Sequence, residues 1–172
     1  LPENLIMSSH HGAGMGLEHP YSHHIQFGGI IAFFIVWIAD TFFLRIAVEL
    51  QDAVPLIFRV LLFVIVAVTS FLLMNYSHSK IFTGSGKPSL VSDGIYSIIR
   101  HPMYLSIPTL LLAFVFLSFS ILSLITLVII FIFFDWMVRF EERELIKILG
   151  EEYLNYTKNV PRWLPRLRTI RK

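Results

Sequence analysis

Cysteine is absent from the 172-residue chain, which excludes a disulfide framework, a thiolate zinc site and a cysteine nucleophile and leaves the redox compartment unread. Charge is scarce: Asp, Glu, Lys and Arg together make up 15% of the residues. Apolar residues make up 55%, with 16 Phe, against roughly 45–50% apolar in a soluble domain. The excess lies in long uninterrupted runs, so the expected solvent is the bilayer, and most soluble enzyme classes are excluded. The net charge of +2 conceals an asymmetry, because nine of the 14 Lys and Arg lie at or after Arg139. Such a tail suits an anionic cytoplasmic lipid surface rather than a nucleic-acid groove. Residues 1–16 offer no apolar core preceded by basic residues, so no cleavable signal peptide is expected there.

Four runs, at 28–44, 56–76, 102–117 and 121–138, approach the ~20 residues that a spanning helix needs. The expected fold class is therefore all-α, an integral membrane protein with about four transmembrane helices. Residues 1–26 read as a His-rich N-terminal segment, 27–76 as two N-terminal spans, and 77–172 as a C-terminal region with a transmembrane hairpin and a cytoplasmic tail. Only Ser118, Phe119 and Ser120 separate the third and fourth spans, so these form a tight antiparallel hairpin. With four spans, the N-terminus, the polar segment at 77–101 and the tail share one face. Lys80, Lys87, Arg100 and the basic tail stand there, against Arg45 and Arg59 near the other face, which directs that side to the cytoplasm. In the tail, Leu145, Ile148, Leu149, Tyr153 and Tyr156 form an amphipathic stripe over 141–156, interrupted by Gly150. Pro161 and Pro165 bracket Trp163, the pattern of an interfacial anchor.

The chemistry gathers at the open end of the hairpin. Arg100 and His101 precede Pro102, a residue suited to the first turn of the third span. On the other arm stand Asp135, Arg139, Glu141 and Glu142. Arg139 is spaced to pair with both Asp135 and Glu142, while Glu141 lies about 100° round the helix. A helix-end charge network is the plain explanation of any one pair. The clustering of both signs beside Gly94 and Tyr96 points instead to a pocket for a polar ligand.

Gly94-Ile95-Tyr96, Arg100-His101-Pro102-Met103-Tyr104, Glu141-Glu142 and Gly150-Glu151-Glu152-Tyr153-Leu154-Asn155-Tyr156, followed by Val160-Pro161 and Leu164-Pro165, resemble the C-terminal catalytic region of isoprenylcysteine carboxyl methyltransferases. The wider group includes the phospholipid methyltransferases. The resemblance covers about 90–165. It implies an integral membrane enzyme that transfers a methyl group from S-adenosylmethionine to a lipophilic or lipid-linked acceptor, an isoprenylcysteine carboxylate above all. The cofactor site would be formed by the hairpin and tail helix and would face the cytoplasm. By that resemblance Leu90, Val91, Gly94 and Tyr96 line the adenosine, His101 and Tyr104 meet the methionine part, and Glu141 and Glu142 complete the pocket. Arg100, at the substrate end, and Glu141 are the implied catalytic residues. Two departures bear on the substrate: Ser106 stands where many relatives have Gly, and relatives with an isoprenyl substrate often carry additional N-terminal spans.

The physical chemistry agrees with such a cofactor, whose carboxylate, ammonium and sulfonium call for fixed charge of both signs. No metal is required. His10, His11, His19, His23 and His24 lack carboxylate or Cys partners at ligand spacing, and so carry no metal expectation. Gly84-Ser85-Gly86 resembles a short cofactor-associated turn and is equally a flexible one. Asp40 and Arg45 in the first span read as a polar pair near the far boundary, with Asp40 a costly acid if buried. Two competing functions are a sterol-type reductase using NADPH and a small transporter or scaffold. The first would want a basic cluster for the extra phosphate, and the second facing polar groups at mid-bilayer.

Overall fold

A computed structural model describes residues 22–46, 48–81 and 90–165. All regular structure among them is helical: α1 (Ser22–Ile38), continued by a π-helical turn (Ala39–Leu44), α2 (Val48–Ala53), α3 (Leu56–Ile81), a 3₁₀ turn (Gly94–Ser97), α4 (Pro102–Ser118), α5 (Ile121–Leu149) and α6 (Glu151–Asn159). His10, His11, His19, Lys87 and the Gly84-Ser85-Gly86 turn fall outside the described residues. Three helical stretches, at 23–44, 56–77 and 121–149, are long and apolar enough to cross a membrane, and the 102–118 helix is a shorter apolar one. The chain is thus an integral membrane protein with about four apolar helices, as composition and run length require.

The packing faces are few and the lipid faces broad. Phe33 from α1, Tyr104, Leu111 and Val115 from α4, and Leu127, Ile130, Phe134, Met137 and Val138 from α5 form one buried cluster. α3 lies along α4 and shows most of its apolar surface, including Ile57, Phe58, Ile65 and Phe71, to the outside. Water would not tolerate so large a patch, whereas acyl chains do. Some hydroxyls inside the spans are satisfied by their own helices, Thr69 donating to the Ile65 carbonyl at 2.8 Å and Thr126 to that of Leu122 at 2.8 Å, while Ser70 of α3 donates across to the Ser106 carbonyl of α4 at 2.7 Å.

The closed end of the hairpin holds the first polar cluster. Phe119 reverses the chain with φ +51°, and the Ser120 hydroxyl caps α5 by accepting from Ser123 N–H at 3.0 Å. Trp37 Nε1 donates to the Phe114 carbonyl and Ser118 Oγ, both at 3.0 Å, and Arg59 Nη1 to the Leu117 carbonyl at 3.3 Å, so α1 and α3 satisfy the last carbonyls of α4. Asp40 is 1% exposed and belongs here. It accepts from the Ser120 hydroxyl and from Ile46 N–H, at the end of the spans opposite the Arg100–Glu142 cluster. The acid sits where the helix ends offer donors.

α5 differs from expectation in length. It runs unbroken for 29 residues through Leu149, about 43 Å at the α-helical rise, against ~30 Å of hydrocarbon. The span and the first half of the expected tail helix are therefore one element, whose last turns stand beyond the bilayer. Gly150, with φ 54° and ψ −128°, makes the break to α6. Side chains disfavour that backbone region strongly, and glycine does not.

Candidate active site at the hairpin mouth

Pro102 begins α4, as its fixed φ and missing N–H suit, and this sets Arg100 and His101 on the turn just ahead of the helix. The Arg100 N–H donates to the Pro161 carbonyl at 3.0 Å, so the segment after α6 folds back against that turn. Opposite them, α5 presents Glu142. The two arms meet at its carboxylate: Oε1 lies 3.0 Å from Arg100 Nη1, 3.1 Å from His101 Nε2 and 3.2 Å from Arg162 Nε, and Oε2 is bonded to Arg162 Nη2. Two turns earlier on the same helix face, Asp135 accepts from Arg139 Nε at 2.6 Å, Arg162 Nη1 at 3.1 Å and Trp163 Nε1 at 2.8 Å. The Arg162 guanidinium thus bridges the two acids. Three guanidinium groups, from Arg100, Arg139 and Arg162, thus face the two carboxylates of Asp135 and Glu142. Arg100 Nε is buried and has no hydrogen-bond acceptor among the described residues.

A phenol layer lies beside this hub. Tyr96, in the 3₁₀ turn, is buried, and its carbonyl accepts from Tyr156 Oη at 2.6 Å. Leu90 packs on Leu145, Tyr153, Tyr156 and Val160 of the α5–α6 elbow. Burial pushes Tyr96 up to about 12, with the Glu141 charge adding to the effect, and burial also pushes Tyr156 up to about 12. Tyr153 is raised too, by burial first and then by the Glu142 and Glu141 charges. All three phenols are neutral at physiological pH. The Arg162 guanidinium is held charged above its ordinary range, chiefly by its hydrogen bonds to Glu142.

The residues singled out from sequence come together unequally. Arg100, His101 and Glu142 form the hub, and Tyr104 stands behind it, its ring edge-on to His101 at 6.0 Å and to Phe134 at 6.3 Å. Glu141 lies towards the phenols. Tyr96 and Leu90 belong to the phenol layer, while Val91 and Gly94 lead into the 3₁₀ turn on its outer side. Arg139 pairs with Asp135 as expected, but Glu142 takes its partners from α4's approach and from the tail instead. Trp163 packs at the site, its ring 5.0 Å from Phe131 and 6.2 Å from His101. Arg162 carried no sequence signal beyond its place between two prolines. Ser106 is fully buried between α3 and α4, its hydroxyl donating to the Met103 carbonyl at 2.6 Å, so it serves helix packing. Among the described residues there is no group of three His, Asp or Glu able to hold a metal ion.

The chain is 33% identical over 102 residues to a protein-S-isoprenylcysteine O-methyltransferase of Mus musculus, covering 56% of this chain and 35% of that one. It is 35% identical over 96 residues to the enzyme of the same name from Schizosaccharomyces pombe, covering 53% and 39%. A methanethiol S-methyltransferase of Pseudomonas deceptionensis is 38% identical over 82 residues, covering 43% and 28%. The match thus spans little more than a third of the length of these relatives, or less. The family profile described as phospholipid methyltransferase matches residues 52–152, which take in α3, the Arg100-His101 turn, the whole hairpin and Glu142. By that match the chain belongs to the phospholipid methyltransferase family of integral membrane methyltransferases.

Proposed function

We propose that the chain transfers a methyl group from S-adenosylmethionine to a lipophilic acceptor whose reacting group is a carboxylate, as in an isoprenylcysteine, at a site facing the cytoplasm. The observation that carries this reading is the buried Arg100 Nε, a charged donor with no acceptor among the described residues, at the edge of a cluster in which three guanidinium groups face two carboxylates. A desolvated donor of that kind is costly unless an anion completes it. The names of the relatives cover methyl transfer to oxygen and to the sulfur of a thiol, and the donor geometry favours an oxygen acceptor that is a carboxylate.

The donor set fits the cofactor's chemistry. Leu90, Val91, Gly94 and Tyr96 offer an apolar and phenolic wall for an adenosine, and His101, Tyr104 and Glu142 offer polar partners for an amino-acid part. The chemistry available is displacement: an acceptor lone pair forms the new bond to the methyl carbon while the S–C bond breaks and its pair returns to sulfur, discharging the sulfonium. The chain's own part is to align and to keep water out. Arg100 grips the acceptor carboxylate, Trp163 and the phenol layer close the site around His101, and Glu141 holds negative charge on the side of the phenols. A carboxylate acceptor has no proton to lose, so no general base is needed; an ammonium acceptor would require one first. The charge count across the spans supports the cytoplasmic orientation.

The test is methyl transfer from labelled cofactor to an S-prenylated cysteine derivative, a phosphatidylethanolamine and a simple thiol, by the wild type and Arg100→Lys. Lys keeps the charge and loses the two-pronged geometry. Expected is transfer to the prenylated carboxylate, depressed about 10²-fold in the variant with S-adenosylhomocysteine affinity nearly unchanged. Full activity of Arg100→Lys on the carboxylate, or transfer only to the amine or thiol, overturns the acceptor assignment. Calorimetric binding of NADPH but not of S-adenosylhomocysteine overturns the reading altogether.

A further inference from the structure

Glu142 faces more positive charge than it needs. Arg100 and His101 alone would satisfy one of its oxygens, and in a site holding only those three groups Arg100 would be spent on the pair. The residues after α6 change that balance. Val160 caps the helix, Pro161 offers its carbonyl to the Arg100 N–H, and Arg162 then lays its guanidinium against both Glu142 oxygens and reaches Asp135 with its remaining nitrogen. Trp163 locks this short strap by donating to the same Asp135 oxygen and packing on Phe131. The strap therefore touches Arg100 twice, once through its backbone and once through the carboxylate that Arg100 shares.

We propose that Arg162 is a positioning residue that sets the site's preference for an anionic methyl acceptor. By committing the Glu142 charge to itself, it leaves Arg100 bonded to Glu142 only through Nη1 and keeps Arg100 Nε available to an incoming carboxylate. By adding its guanidinium beside Glu142 and Asp135, it makes the mouth one charge more positive than it would be without it. Without Arg162 the Arg100 fork would close on Glu142, and Asp135 would face the mouth with Arg139, 63% exposed and screened by solvent, as its only guanidinium partner. Such a site would favour an ammonium over a carboxylate. The role is distinct from that of Arg100 because Arg162 acts through Glu142 and does not touch the acceptor. It rests on the methyltransferase reading above.

The experiment uses the full chain in detergent, with Arg162→Gln, Arg162→Lys and Trp163→Phe, each checked for wild-type helix content. Acceptor KM is measured with an S-prenylated cysteine derivative bearing a free carboxylate, and cofactor-site integrity by S-adenosylhomocysteine affinity. Expected for Arg162→Gln is a rise in acceptor KM of about tenfold or more with S-adenosylhomocysteine affinity within about twofold. Arg162→Lys, which keeps the charge beside Glu142, is expected within about threefold of the wild-type KM. Should Arg162→Gln fail to fold, Trp163→Phe removes the strap's Trp163 hydrogen bond to Asp135 without changing any charge; a smaller rise in KM is expected, and an unchanged one overturns the proposal. Equal losses of acceptor and S-adenosylhomocysteine binding in Arg162→Gln would mark a merely structural strap and overturn it as well. A wild type that binds no S-adenosylhomocysteine overturns the methyltransferase reading, whereas an active wild type whose Arg162→Gln variant keeps its KM overturns only the role of Arg162.

Discussion

Replacing Glu142 by Gln keeps the shape of the side chain and removes its charge. In the folded protein that carboxylate takes four contacts from three side chains, with Arg100 12% and Arg162 23% exposed. Gln can still accept from Arg100 and His101 through its oxygen, but its amide nitrogen then faces the Arg162 guanidinium, donor against donor. Breaking a fully buried pair by removing one partner costs about 3–5 kcal/mol. Partial exposure of Arg162, and its second anchor on Asp135, argue for a value at or below the bottom of that range, about 2–3 kcal/mol. For a chain of this length that corresponds to a fall in Tm of roughly 4–12 °C. The internal control is Arg139→Gln: Arg139 is 63% exposed, and loss of such a surface pair is worth about 0–1 kcal/mol. Thermal unfolding of both variants in the same detergent, followed by helix signal and at matched scan rate, reads the difference. Glu142→Gln melting within a degree of Arg139→Gln would refute the assignment of Glu142 as the hub that ties the hairpin to the tail.

His101→Ala is expected to weaken S-adenosylhomocysteine binding by about 1.5–3 kcal/mol while leaving helix content intact, since it removes a hydrogen-bonding group from a shielded site; unchanged affinity would take His101 out of the cofactor site. In a chain with no native cysteine, cysteines placed at the exposed Ser97 and Asn155 are expected to react with an impermeant thiol reagent from the cytoplasmic side, and one at Asp52 from the opposite side; reaction of all three from one face would undo the four-span topology. Tyr96 and Tyr156, both near 12 when folded against about 10 when unfolded, stabilise the fold fully below pH ~10 and lose that contribution as pH rises through their folded values. An ultraviolet titration of the folded protein should therefore show part of the phenolate signal only above pH ~11, and complete titration near pH 10 with the fold intact would contradict the buried phenol layer.

Much of this protein is legible in the order of its residues, because the determinants are local. Hydrocarbon thickness sets a run length, and four runs meet or approach it; Pro102 marks a helix start; the i,i+4 spacing of Asp135 and Arg139 is a pair by helix geometry alone. The ordered blocks from Gly94 to Pro165 carry the resemblance to the methyltransferases, and Arg100, His101 and Glu142 do converge. What sequence spacing misplaced lies at changes of direction. The apolar run ends near Val138, yet α5 continues to Leu149, since a fall in hydrophobicity does not break a helix and only Gly150 does. Arg139 is equally well spaced for Asp135 and for Glu142, and the choice falls to Arg162, 20 residues beyond Glu142, after the chain has turned back at Gly150. Asp40 and Ser120 meet across 80 positions, a contact no periodicity encodes. Helical and hydropathic periods specify which residues share a face and which segments enter the bilayer; which faces meet, and therefore which charges neutralise one another at the mouth, is decided only when the helices pack and the tail folds back over them.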